Sequence, residues 1–230
     1  MMEPLLKRLD THDYDMLIAN SKLIEIKKGV YIYTEKNPSD YLYFIQQGEI
    51  RIFKEIGVGK EITFFTRKGY DVFGEMGVFS GETYSTTAKA SKHSFIYYIG
   101  KNKLKNLLAQ NGRLGQQFTR WVAESLESSN AKIRDYVAFG SEGAVASVFI
   151  RISNMYGVVT TEGILITEPI MITDISKQIG ISRETVSRIV KKWKQKEIIE
   201  NDNKYFLIKN MHYFRRLLVC ENCGVENCVL

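Results

Sequence analysis

The chain has 230 residues, 44% hydrophobic and 25% charged, with a net charge of +6. That length and composition fit one or two globular domains and exclude disorder, and 3 prolines with no Gly/Ser-rich tract exclude a long linker. No run reaches the roughly 18 apolar residues of a membrane helix, and the acidic N-terminus MMEPLLKRLDTHDYD lacks a signal peptide's apolar stretch, so a soluble, cytoplasmic protein without membrane contact is expected.

EPLLKRLDTHDYDMLIANS predicts one or two short helices. Residues 22–100 read as β structure, with runs LIEI, VYIY, YLYFI, EIRIF, EITFF and SFIYYI. Turn signals at Lys28-Gly29, Asn37-Pro38, Gln47-Gly48, Gly57 and Lys68-Gly69 separate them, with the spacing of a sandwich or barrel. Leu104, Leu107 and Leu108 then recur at helical spacing. Asn111-Gly112 breaks that helix before a long one from about Arg113 to Val137. Phe118, Trp121, Val122, Leu126, Ile133, Tyr136 and Val137 make its apolar face at near-heptad spacing, which suits pairing with a second copy; the plainer alternative is a helix lying on its own barrel. Phe139-Gly140-Ser141-Glu142-Gly143 reads as a hinge, Ala144 to Tyr156 as a helix, and ILITEPIMI as one or two strands.

From Thr173 the pattern is helix, turn, helix. Thr173 is the expected N-cap, Ile175 and Ile179 the first apolar face, and Gly180 the turn. Ser182 caps a second helix, Arg183 to Lys196, with Val186, Ile189, Val190 and Trp193 inward. EIIENDNKYFLI follows as a hairpin turned at Asp202-Asn203. The second helix carries Arg183, Arg188, Lys191, Lys192, Lys194 and Lys196 against Glu184 alone, a balance of +5. A helix of this kind enters the major groove by its N-terminal end. Ser182, Arg183, Glu184, Thr185 and Arg188 are therefore the candidate base-reading residues, with Lys191 and the later lysines meeting phosphates. A merely solvated basic face leaves the turn glycine, the capping serine and the opposed apolar set unexplained.

The 3 cysteines, Cys220, Cys223 and Cys228, all fall in the last eleven residues. An odd number confined to one tail argues against a disulfide framework and for a metal site. C-x2-C-x4-C with Gly224 at the bend suits an iron–sulfur cluster or zinc, and either is one ligand short. Asp135, Glu124, Glu127, Glu142 and His212 are candidates for the fourth. Cys220 and Cys223 as a thiol–disulfide motif lack the βαβ setting such motifs occupy. No catalytic constellation is visible, so no enzyme activity is expected.

The segment SRETVSR resembles the recognition-helix pattern of the Crp/Fnr family of bacterial transcription regulators, and the likeness extends over nearly the whole chain. It implies an α+β architecture: a jelly-roll, cyclic-nucleotide-binding-like effector domain (1–110), a dimerisation helix (111–139), a winged helix-turn-helix (140–218) and a cysteine-rich tail (219–230). It further implies that Arg183, Glu184 and Arg188 read a TGTGA-like half-site of double-stranded DNA. A homodimer would then read an inverted repeat, with RNA polymerase as a partner. The family's cyclic-nucleotide members carry a GE-L-…-RS cassette. Here GEMGVFSGETYSTTA keeps Gly74 and Glu75 but has Tyr84, followed by Ser85 and Thr86, where the phosphate-binding arginine would stand, so cyclic AMP is disfavoured. His12, His93 and His212 are scattered and give no haem motif. The ending resembles the Bacillus-type Fnr branch, in which a C-terminal cysteine cluster holds [4Fe–4S]. That resemblance puts the fourth ligand on Asp135, within AKIRDYVAFG, and implies an oxygen-sensing activator of anaerobic respiration and fermentation. The alternative is a regulator of the same type with a structural zinc, using His212, or a different small-molecule effector.

Overall fold

The computed structural model describes residues 3–220 and 228; Cys223 and Gly224 of the expected metal-binding tail lie outside the described residues. The chain forms two compact units. One comprises Glu3–Lys54 and Thr63–Glu124, the other Glu55–Ile62 and Ser125–Leu230.

The first unit opens with α1 (Leu5–Arg8) and α2 (Thr11–Ala19). Eight strands follow: β1 (Lys22–Ile26), β2 (Tyr31–Tyr33), β3 (Tyr41–Gln47), β4 (Glu49–Gly57), β5 (Lys60–Lys68), β6 (Val72–Phe73), β7 (Thr87–Ala90) and β8 (Ser94–Gly100), with α3 (Glu75–Ser80) after β6. They pair into two four-stranded sheets, ordered β1-β8-β3-β6 and β2-β7-β4-β5. The six predicted runs all form strands. β6, β7 and α3 were not foreseen: β6 is two residues long, and the TAKA of β7 carries no branched or aromatic signal. Tyr33, Tyr43, Ile45, Ile52, Phe73, Tyr84 and Ile96 build the core of this unit.

After α4 (Lys101–Gln110), Asn111 turns extended (φ −125°, ψ 90°) and its Oδ1 accepts from the Leu114 N–H at 3.1 Å. That cap starts α5 (Gly112–Ala138), as the predicted break requires. The predicted apolar face divides along its length. Phe118 and Trp121 are buried, as is Leu114 ahead of them, whereas Leu126, Ile133 and Val137 are 61%, 60% and 77% exposed. The first half of the helix packs into a core, as the plainer alternative expects, and its second half keeps an apolar stripe open to solvent.

The second unit runs α6 (Gly140–Tyr156), β9 (Gly157–Thr160), β10 (Gly163–Ile166), α7 (Ile172–Ile179), α8 (Arg183–Gln195), β11 (Ile199–Asp202), β12 (Tyr205–Ile208) and α9 (Met211–Leu217). Its strands form one antiparallel sheet, β11-β12-β10-β9. The central helix α6 is buried on every side from Gly143 to Ser153, with Phe149 at its middle. Two local expectations are corrected. The hinge glycines belong to the first turn of α6, which begins at Gly140 rather than Ala144; the break is at Phe139. The N-cap of α7 is Met171 rather than Thr173, because the Asp174 carboxylate accepts from the Met171 N–H at 2.8 Å and starts the helix early. ILITEPIMI supplies one strand, as expected, from its first part in β10. Among the described residues no helix is long and apolar enough to cross a membrane.

One buried charge cluster ties the barrel to α5. Asp71 Oδ2 accepts from Arg67 Nη1 and its Oδ1 from the Trp121 indole N–H, both at 3.0 Å, while the Arg67 guanidinium lies 4.9 Å from the Trp121 ring centre. Asp71→Ala strips a buried guanidinium and a buried indole of one acceptor, and is expected to cost about 3 kcal/mol. Denaturant unfolding followed by tryptophan fluorescence checks this; a loss under about 1 kcal/mol, the scale of an exposed pair, would contradict it.

Candidate nucleic-acid interface and metal-binding residues

The helix-turn-helix forms as the sequence predicts. Gly180 ends α7 in the left-handed region (φ +81°), which costs glycine nothing. Ser182 Oγ accepts from the Thr185 N–H at 3.2 Å and lies 3.0 Å from the Thr185 hydroxyl, so both hydroxyls are engaged in capping α8. Val186, Ile189, Val190 and Trp193 are buried, with Trp193 edge-on to Phe149 and 4.7 Å from Phe214. Burying that stripe leaves Arg183, Glu184, Ser187, Arg188 and Lys191 on the solvent face. The predicted hairpin turns at Asn203 (φ +54°) and flanks this face. A cleft of about 360 Å³ is lined by Thr173, Arg183, Asn201, Asn203 and Lys204; a second, of about 510 Å³, is lined by Ser187, Lys191, Lys194 and Asn201. Sequence reasoning missed Thr173, Asn201, Asn203 and Lys204 here. For the last three the signal was available: polar residues at a hairpin tip beside a basic helix.

Lys192 behaves differently from its neighbours. Its Nζ donates to Glu142 Oε2 at 2.8 Å, while Glu142 Oε1 accepts from the Trp193 indole at 2.9 Å and the Tyr213 hydroxyl at 3.0 Å. Partial burial works to raise the Glu142 carboxyl, but the three donors outweigh it and hold the group below the usual carboxylate range.

Asp135 is buried, not solvated. Its Oδ1 accepts from Arg134 Nη2 at 2.7 Å, and its Oδ2 from Ser147 Oγ at 2.7 Å and Arg151 Nη2 at 3.3 Å. Arg151 itself is only 1% exposed. Arg134 Nη2 also reaches the Leu218 carbonyl at 3.4 Å, two residues before Cys220. Cys220 and Cys228 are half-buried and pack against the hydrophobic core of this unit, and the Cys228 carbonyl accepts from Asn154 Nδ2 at 2.7 Å. Among the described residues no three His, Cys, Asp or Glu side chains converge as a metal site. Of the other fourth-ligand candidates, Glu124 is bound by Arg8 and Arg120, Glu142 by its three donors, and Glu127 and His212 are exposed.

In the barrel, Tyr84 is buried. Its ring stacks on Tyr33 (3.7 Å, 11°) and its hydroxyl donates to the Tyr41 carbonyl at 2.6 Å. Burial pushes its phenol up to about 12. Burial likewise pushes the Glu75 carboxyl up, with Arg67 opposing. Between Tyr33, Arg67, Glu75, Tyr84 and Thr86 about 10 Å³ remains, the size of one water site.

A cyclic nucleotide-binding domain model matches residues 23–111, and a Crp-like helix-turn-helix domain model matches residues 144–217. The "Anaerobic regulatory protein" of Bacillus subtilis is 34% identical over 217 residues, covering 94% of this chain and 91% of that protein. Among solved structures, a CooA mutant from Carboxydothermus hydrogenoformans superposes with a TM-score of 0.78 at 18% identity, covering 95% of this chain and 97% of that one. FixK2 from Bradyrhizobium japonicum superposes with a TM-score of 0.72 at 18% identity, covering 86% and 96%. At that identity the two structures speak to the fold alone.

The matched nucleotide-binding domain and its filled interior make opposite demands on one experiment. Millimolar cyclic AMP is expected to leave the Tm of the protein unchanged, since a ligand that the native state does not bind cannot stabilise it. A concentration-dependent rise in Tm would show that Tyr84 swings aside and the pocket opens.

Proposed function

The chain belongs to the Crp/Fnr family of DNA-binding transcription regulators, and we propose that it is an oxygen-responsive member, a homodimer holding [4Fe–4S] through Cys220, Cys223, Cys228 and Asp135. The observation that carries this reading is Arg134, one side chain that touches both the Asp135 carboxylate and the Leu218 carbonyl just ahead of Cys220. It supports a carboxylate and a thiol in one neighbourhood. The half-burial of Cys220 and Cys228 against an apolar core fits the partly dry setting that iron–sulfur thiolates use. When bound, the cluster supplies the chemistry with oxygen. Asp135 contributes a carboxylate that Ser147 and Arg151 orient and that packing keeps from bulk water. Holding Asp135 and the tail together spans the chain on both sides of α7 and α8, so release of the tail changes operator affinity by the coupling between the two sites.

On DNA, Arg183, Glu184 and Arg188 read base edges of a TGTGA-like half-site in the major groove, beside the capping hydroxyls of Ser182 and Thr185. Lys191 meets phosphate. The exposed stripe of Val122, Leu126, Ile133 and Val137 on α5 pairs two copies, setting half-sites about 34 Å apart. The name of the Bacillus subtilis relative supports anaerobic metabolism as the regulated process. RNA polymerase, in the cytoplasm, is the machinery that such an activator engages.

Anaerobically purified protein is expected to carry about four iron and four sulfide per chain, and binding to a TGTGA inverted-repeat duplex is expected to fall on exposure to air. Zinc alone, or binding indifferent to air, would contradict the oxygen-sensing reading and leave the DNA reading in place. Anisotropy titrations test the interface itself. Arg188→Ala is expected to lose about 1–3 kcal/mol on the TGTGA duplex and little on a scrambled one. Lys191→Ala is expected to weaken both and flatten the salt slope by about one. The reverse pattern would exchange the two roles.

A further inference from the structure

We propose that Glu142 is a positioning residue that determines specificity by withholding Lys192 from the DNA backbone, a proposal that rests on the DNA-reading role of α8. Lys192 lies one turn beyond Arg188 and two beyond Glu184, so helical spacing puts it on the face that carries the base-reading side chains. A free ammonium there meets phosphate and adds affinity for every sequence alike. Its Nζ instead turns to Glu142 Oε2, 2.8 Å away.

An exposed ion pair alone would not hold a lysine against a polyanion, and these side chains are 48% and 29% exposed. Glu142 is fixed from its other oxygen, which takes the indole N–H of fully buried Trp193 and the hydroxyl of Tyr213. The carboxylate therefore stays where it is, and its charge stays beside Lys192. Removing one sequence-independent contact while keeping the base contacts raises the ratio of specific to non-specific binding. Tyr213 comes from α9, the helix that leads into the cysteine tail, so the segment that bears the tail contributes to the same joint.

The test uses the full-length protein with two labelled duplexes of equal length, a TGTGA inverted repeat and a scrambled sequence, titrated across salt. Glu142→Gln keeps a carbonyl oxygen for Trp193 and Tyr213 and deletes the charge that holds Lys192. The expected result is a salt slope on the scrambled duplex steeper by about one. Non-specific affinity at low salt should rise several-fold, and the specificity ratio should fall by a similar factor. Adding Lys192→Ala to Glu142→Gln is expected to return the slope to that of the unaltered protein. A purely structural role for Glu142 would instead weaken binding to both duplexes at unchanged slope, and that outcome overturns the proposal. So does a steeper slope that survives the added Lys192→Ala. Unaltered protein that binds neither duplex in a salt-dependent way would remove the DNA-reading premise along with the proposal.

Discussion

A carboxylate buried between two guanidinium groups governs the region where α5 meets α6. Asp135 is 4% exposed and Arg151 1%, and charges this deep persist only when paired and hydrogen-bonded. Ser147 completes the arrangement by donating to Asp135 and accepting from Arg151 Nε at 3.1 Å. Moving the carboxylate away weakens its bond to a buried arginine, so the position of Asp135 and the packing of α5 on α6 are not independent. Arg134, which touches Asp135 and the Leu218 carbonyl together, extends this arrangement to the end of α9.

Seven residues further on, Glu142 handles a different load with the same chemistry. One of its oxygens is committed to two neutral donors and the other to a lysine on the outer face of α8. Asp135 is held by Arg134, Ser147 and Arg151, and Arg134 reaches on to Leu218; Glu142 is held by donors from α8 and α9. Two carboxylates flanking the Phe139 break are thus each held by donors from other parts of the same unit. In the barrel another buried carboxylate, Asp71, accepts from Arg67 and Trp121, and Tyr84 stacks on Tyr33.

Much of this was legible from the chain alone because it is local. Ser182 as a cap, Gly180 as the turn and Val186, Ile189, Val190 and Trp193 as the inward stripe are all consequences of spacing within fifteen residues. The strands with branched and aromatic runs were equally plain. What escaped depends on partners distant in sequence. Nothing near Asp135 in the sequence announces its burial, which comes with bonds to Ser147 and Arg151 on the next helix. Nothing near Glu142 announces donors fifty and seventy-one residues away. The absence of the cassette arginine was visible at Tyr84, but its stacking on Tyr33 joins β2 to a loop after α3. β6 and β7 exist because neighbouring strands complete them; their own residues carry little preference.

The central claim is that the Asp135 carboxylate and the cysteine tail hold one cluster between them. Mössbauer spectroscopy of anaerobic, isotope-enriched protein tests it most directly, comparing the unaltered chain with Asp135→Ala. The account predicts one iron site distinguishable from the other three by its oxygen ligand, with that signature lost and iron retention poor in the variant. Four equivalent thiolate-like sites, or a variant spectrum identical to that of the unaltered protein, would contradict it.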